Sequence, residues 1–463
     1  MQARFRMGWV TVLLVVLLAV GCGGAVVDTS PPPAGSSAVS FMVRDTPPAG
    51  VTILSFEITI TSAVLQPGNV QLVSAPIEIE LKRLEIETAF LSTVNVPAGT
   101  YNSIQVTFSN PELTFLNNTG SSIGSCANGA VCEISPPLNQ VSVTYSGSPF
   151  PLTIQANTPL GLLLDFDLLN SLGANLSISP VVSLLRLPAV QGTGRIEDIE
   201  DVVGRVSAKN TANNEFTIEL TLSGQALTVR VDATTEFDDF DDIGCNANNF
   251  TCVAVGQIVE VDIELRAGGV LFAKGVELLD DINREELEGI VVGVQCDTSR
   301  FLMVIVEEIP NITGVEIGNL VTVFIQSGAN FRIDEDGLVV PPDLSFASCG
   351  DIIVGQNLQV RRTSGSAGTT VNTDRVRLRM SRFTAKVKTP GPATFTVDNL
   401  PTLFTAQSPA VTEIEVRTSA QTDFDNVANA ASLAIGDTVS LRGLLFRRLT
   451  GIPSLVAKKV RKR

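Results

Sequence analysis

From about residue 192 onward the chain carries one pattern three times, and this repetition limits the fold more than any single motif does. Gly204, Gly289 and Phe383 each open a strand-like pair and are followed twelve residues later by Phe216, Phe301 and Phe395. Next come Phe237, Phe331 and Phe424, each two residues after Thr or Ala. Then Gly256-Gln-Ile-Val-Glu-Val261, Gly355-Gln-Asn-Leu-Gln-Val360 and Gly436-Asp-Thr-Val-Ser-Leu441 share one design, and Val276, Val376 and Val460 close the units. Each unit holds five or six short strands with a glycine at the turn before the fourth. A sheet that short exposes two edges unless it curls up, so the spacing predicts three small, OB-like β-barrels over 192–280, 284–379 and 380–463. The acidic stretches 197–201 and 280–286 are expected as exposed junctions between them.

Residues 38–190 alternate differently. Val39-Ser-Phe41-Met-Val43, Phe56-Glu-Ile58-Thr-Ile60, Ile77-Glu-Ile79-Glu-Leu81 and Ile104-Gln-Val106-Thr-Phe108 repeat with period two between Pro, Gly and Asn clusters. Such strands bury one face, and two sheets of them must pack face to face, so a β-sandwich is expected. The fold class is therefore all-β, a sandwich followed by three tandem barrels. Within the sandwich, Pro97-Ala-Gly99-Thr-Tyr101 suggests a turn with positive φ at Gly99 and a tyrosine anchor like a tyrosine corner. Asp165 and Asp167, with Asp45, are candidates for a hard-cation site, weighed against a solvated strand face.

Ahead of the sandwich, Arg4 and Arg6 precede an apolar run from Val10 to Val20, and Ala19-Val20-Gly21 places small residues before Cys22. The run is too short to cross about 30 Å of hydrocarbon and has the form of an export signal over 1–21. The small residues and Cys22 resemble the bacterial lipobox, with Ala19 where that motif usually has Leu. The resemblance implies cleavage before Cys22, lipidation of its thiol and anchoring through several acyl chains. Gly23 rather than Asp after the cysteine points to the outer membrane or cell surface of the bacterial envelope. Residues 22–37 then form a lipidated Pro/Gly/Ser tether.

Six cysteines remain, and they allow fifteen pairings. Cys126 with Cys132, Cys245 with Cys252 and Cys296 with Cys349 are favoured, because each pair falls within one predicted domain and export makes disulfides possible. A thiolate metal site would need C-x-x-C pairs, and the chain has none.

Composition narrows the function. The chain has no histidine, which removes Ser-His-Asp and Cys-His catalysis and imidazole metal sites. With 48 acidic and 32 basic residues, it is repelled by phosphate backbones, and nucleic acid is not an expected partner. Its single tryptophan, Trp9, lies in the signal, so a stacking platform for sugars is hard to assemble. Asp238, Asp239, Asp241 and Asp242, near Asn246, Asn248 and Asn249, suit calcium by donor type, weighed against a solvated acidic loop; no other cofactor is suggested. Arg442, Arg447, Arg448, Lys458, Lys459, Arg461, Lys462 and Arg463 make a basic end suited to an anionic envelope polymer, or to the protein's own acids.

Through its Asp45-Thr-Pro47 turn, Pro97-Ala-Gly-Thr-Tyr101 and Leu164-Asp-Phe-Asp167, the first domain resembles an uncharacterised domain family found at the front of bacterial lipoproteins. The repeats resemble a second uncharacterised family of tandem barrels. Neither resemblance implies an activity. The expectation is a non-catalytic, lipid-anchored envelope module that meets the membrane through acyl chains and binds another envelope protein or polymer. The alternatives are a calcium-dependent adhesin or ligand-binding protein and, third, a hydrolase with a carboxylate-only site.

Overall fold

The computed structural model describes residues 35–463 apart from 47–51, 174, 189–195, 222–223, 225, 267–269, 281–284, 310–311, 336, 407–408 and 449. The export signal, Cys22 and the tether up to residue 34 lie outside the described residues; the tether's expected end at 37 is corrected, because Ser36 and Ser37 are buried in the first strand.

The first domain contains β1 (Ser36–Thr46), β2 (Thr52–Gln66), β3 (Val70–Val73), β4 (Ile77–Glu80), β5 (Ala89–Pro97) and β6 (Gly99–Tyr101). It continues with β7 (Ser103–Leu116), β8 (Val131–Ile134), β9 (Ser142–Tyr145), β10 (Leu152–Ile154), β11 (Leu160–Asp167), helix α1 (Leu168–Ser171) and β12 (Val182–Pro188). One sheet runs β12-β11-β1-β5; the other runs β3-β2-β7-β8, with β4 also on β2 and β9 on β7. Phe41, Phe56, Ile58, Phe108 and Phe166 fill the layer between them. Tyr101 closes its corner as expected, its hydroxyl donating to the Pro97 carbonyl at 2.8 Å. Gly99 is not at positive φ: it pairs in the β6–β10 ribbon, which extended backbone satisfies.

The first barrel has β13 (Ile196–Asn210), β14 (Glu215–Leu220), β15 (Ala226–Arg230), β16 (Glu236–Asp238), β17 (Ile258–Arg266) and β18 (Val270–Asp280). The second has β19 (Glu286–Gln295), β20 (Arg300–Ile309), β21 (Leu320–Ile333), β22 (Asn357–Arg362) and β23 (Thr370–Arg379). The third has β24 (Ser381–Thr389), β25 (Thr394–Asp398), helix α2 (Thr402–Thr405), β26 (Ile414–Arg417), β27 (Asp423–Asp425), β28 (Thr438–Phe446) and β29 (Ser454–Lys462). Each closes as a five-stranded barrel with its last strand parallel to its third: β18 on β15, β23 on β21, β29 on β26. In barrel 2 the single long β21 does the work of β15 plus β16, or of β26 plus β27.

The repeat has a direct structural meaning. Phe237 faces Val276, Phe331 faces Val376 and Phe424 faces Val460 across the same parallel pairing. Phe216, Phe301 and Phe395 are buried in the three cores. Gly256, Gly355 and Gly436 all adopt positive φ (99°, 91° and 86°) at the turn into the fourth strand. An L-residue would be strained there.

Two further sequence expectations are corrected. The acidic stretch 197–201 is not a junction but part of β13, pairing with β17 through two register shifts that let the strand continue as bulges. Nor does the sandwich bury only one face of each sheet. Leu162 and Leu164 of β11 point into the sandwich, while Leu163, with Met42 and Phe90, joins the core of barrel 1. Likewise Leu444, Phe446 and Val456 of barrel 3 complete the core of barrel 2, and only Met380 separates β23 from β24.

Candidate functional site

The site begins with a short segment that breaks the period-two pattern, Lys82-Arg-Leu-Glu-Ile-Glu87. Its 3-10 turn forms because the Glu80 carboxylate accepts the backbone N–H groups of Lys82 (3.1 Å) and Arg83 (2.8 Å), besides that of Phe56 (2.9 Å). The turn carries charges to the other domains. Arg83 reaches Glu307 of barrel 2 at 2.7 Å. Glu87, 2% exposed, meets Arg442 of barrel 3 at 2.7 Å and also Arg382. Arg463 donates to the carbonyls of Glu85 and Asp45.

A second node joins barrels 1 and 2. Arg379 contacts Glu277 (2.7 Å) and Glu260 (3.7 Å) of barrel 1, and Glu288 (3.2 Å) and Asp334 of its own barrel. Arg377 contacts Asp239 at 2.6 Å. Ion pairs this buried fix an arrangement more than they add net stability, because desolvation offsets much of the attraction.

Asp239, Glu277 and Asp334 bring carboxylate oxygens within 4.8 Å of one another, the geometry of a metal cluster. Arg377 and Arg379 are the counterions there. Of the other calcium candidates, Asp238 lies in β16, and the side chains of Asp241 and Asp242 lie outside the described residues. The three sandwich acids do not converge either. Asp165 pairs with Arg44 at 2.9 Å, Asp167 caps α1 by accepting the Asn170 N–H at 3.0 Å, and Asp45 is fully buried with the Leu168 N–H at 3.4 Å. Burial, with Glu85 nearby, holds the Asp45 carboxyl well above the usual range.

The three disulfides are Cys126–Cys132, Cys245–Cys252 and Cys296–Cys349, with Cα separations of 5.9, 5.8 and 5.6 Å. The basic end spans β28, the turn after it and β29, and several of its cations meet the protein's own acids: Arg461 with Asp425 at 2.5 Å and Lys462 with Asp437 at 2.8 Å. Arg448 reaches Glu415 at 3.1 Å.

Between the sandwich, barrel 1 and barrel 2 lies a cleft of about 430 Å³ that sequence reasoning did not single out. Its floor is the outer face of the second sheet. Glu57 on β2 stands directly between Glu80 on β4 and Glu112 on β7, with Glu78 opposite Thr59 and Glu133 opposite Thr114. Barrel 2 supplies Glu307, Glu308 and Glu316 from the other side. The only signal was that Glu57, Glu78, Glu80 and Glu112 occupy the polar positions of their strands, which ordinarily means solvent.

Like charges side by side across a sheet repel, and here they are also partly desolvated. Burial first, then Glu80, Glu78, Glu112 and Glu133, push the Glu57 carboxyl up to about 8. Burial also raises Glu112, helped by Glu133, Glu78 and Glu316, and raises Glu308. Thr114 Oγ1 donates to the Gly318 carbonyl at 3.0 Å and Asn319 Nδ2 to Glu133 at 3.1 Å, which fixes barrel 2 over the sheet. The cleft is a strongly electronegative space between rigid walls, suited to a cationic ligand.

Fold and cleft define the class: an all-β protein in which a sandwich and three OB-type barrels are packed around shared ion pairs. Residues 36–179 match the family described as Domain of unknown function DUF4382, and residues 203–277 and 393–460 each match the Domain of unknown function DUF5666. The chain thus matches the first family once and the second twice, in barrels 1 and 3; the resemblance drawn from the sequence covered all three barrels. No curated protein matches the chain. Among solved structures, Drosophila Unr CSD456 aligns at 9% identity and a TM-score of 0.14 over 58% of this chain and 98% of that one. A multidomain protein with nucleic acid binding domains from Streptococcus pneumoniae TIGR4 aligns at 12% identity and a TM-score of 0.11, over 55% of this chain and 71% of that one. At such scores nothing follows for this chain. Among the described residues no helix is long and apolar enough to cross a membrane.

Proposed function

We propose that this protein is a lipid-anchored module of the bacterial cell envelope that binds rather than catalyses, with the acid-lined cleft as its binding site. The observation that carries the reading is the excess of carboxylates over cations in a cleft walled by separate domains. The anchor rests on Cys22 behind its export signal, and three disulfides suit an oxidising compartment outside the cytoplasm. Mass spectrometry of the native protein should find an N-terminal peptide that begins at acylated Cys22. Cys22→Ala should remove the acylation; an unmodified Cys22 thiol in the native protein sinks the anchor.

One observation favours a hydrolase instead: a carboxyl raised to about 8, Glu57, beside a second one, Glu112, resembles the acid and base of a glycosidase. The binding reading is preferred because the described lining holds no aromatic or amide side chain to seat a sugar. Turnover of any glycan that is lost in both Glu57→Gln and Glu112→Gln would reverse that preference.

A further inference from the structure

We propose that the cleft is a divalent-cation site, in which a hydrated Ca²⁺ bridges the sandwich to barrel 2. The inference rests on the reading of the cleft as the binding site. The first support is charge balance. Arg83 is engaged by Glu307, and Glu80 is satisfied by three backbone N–H groups. That leaves Glu57, Glu78, Glu112, Glu133 and Glu316 with no ion-pair partner among the described residues.

The second support is the burial of one member, which the charge count does not use. Glu57 is 8% exposed and lines the cavity, yet its carboxyl receives no hydrogen bond and no ion pair from the described protein. A carboxyl so buried ordinarily has a partner. The residue lines the cleft, where a partner can reach its carboxyl.

Donor chemistry selects the cation. The cleft offers carboxylate oxygens and no nitrogen or sulfur ligands, which suits a hard ion with flexible coordination. No three of the described cleft carboxylates lie mutually within 4.8 Å as Asp239, Glu277 and Asp334 do, so the ion keeps part of its water shell, for which about 430 Å³ leaves room. Because donors come from both the sandwich and barrel 2, occupation ties those domains together.

The ion would meet carboxylates from both walls: beside Glu57 stand Glu80 and Glu78 from β4, Glu112 from β7 and Glu133 from β8. Across the cleft are Glu307, Glu308 and Glu316, and Arg83 is the cation beside them.

The experiment is isothermal titration calorimetry of the full-length protein with CaCl₂ after chelator treatment. The expected result is heat that saturates at one ion per chain. Glu57→Gln and the half-exposed Glu112→Gln should each weaken binding about tenfold or more while the circular dichroism spectrum is retained. The double variant Asp241→Asn/Asp242→Asn should bind as the parent does; if it alone loses the heat, the site is the 238–242 loop and the proposal is overturned. Spermidine separates the two levels of the claim. If spermidine binds in a Glu57-dependent way and Ca²⁺ gives no heat, the cation inference fails and the cleft remains a binding site. If neither binds, both fail.

Discussion

Glu57 is the residue at which sequence and structure disagree most usefully. Its place in Phe56-Glu-Ile58 marks it as outward-facing, which is correct, but outward here means toward barrel 2 rather than water. The sign of its effect on stability follows from its raised carboxyl. Folded Glu57 keeps its proton up to about pH 8, whereas the unfolded side chain loses it near 4.5, so the folded state binds more protons in between. Stability contributed by the neutral form is full below about pH 4.5 and is lost as pH rises toward 8. Melting temperature, measured in chelator by differential scanning fluorimetry, should fall over that window. Glu57→Gln, which removes the titration, should flatten the fall and melt about 2–5 °C higher than the parent at pH 8. An identical pH profile in the variant would contradict the placement of this carboxyl. Tyr101 is the opposite case, since a Pro-Ala-Gly-Thr-Tyr turn sets the geometry of its own hydrogen bond and is legible locally.

The elements were legible where their information is local. Alternation located the sandwich strands, and the triple repeat located the barrels, because each repeated residue fills one register position: Phe237, Phe331 and Phe424 each meet a closing valine. What escaped depends on partners distant in sequence. Leu163 looks like one more core leucine, and only the docking of barrel 1 explains why β11 is apolar on both faces. The segment 82–87 reads as a charged loop, and its role exists only because Glu307, Arg382 and Arg442 arrive from other domains. The turn glycines give an element-scale prediction. Gly436 has open space where a Cβ would stand, so Gly436→Ala should cost only the strain of its positive φ, about 1–2 kcal/mol. At Gly355 the same Cβ would meet the Phe404 ring, whose nearest atom is 2.3 Å away, so Gly355→Ala should cost at least about 1 kcal/mol more. Urea denaturation of the two variants checks the order, and equal losses would count against the packing of α2 on barrel 2.

Across the whole molecule, the barrels are not separate beads. The sandwich touches barrel 1 through Met42, Phe90 and Leu163, barrel 2 through Arg83 and Thr114, and barrel 3 through Glu87. Glu87 is buried against two guanidinium groups, so Glu87→Gln removes the charge both of them face and should destabilise by about 3–5 kcal/mol. Hydrogen exchange should show the loss first in residues 381–463; unchanged protection there would mean that the pair holds nothing together. This convergence creates the cleft, since no single domain encloses it. The most direct test of the account is therefore small-angle X-ray scattering of the segment from residue 35 onward. Four domains clamped together should give a radius of gyration of about 22–26 Å, near that of a compact body of roughly 430 residues, and a value above about 35 Å, that of an open string, would contradict it.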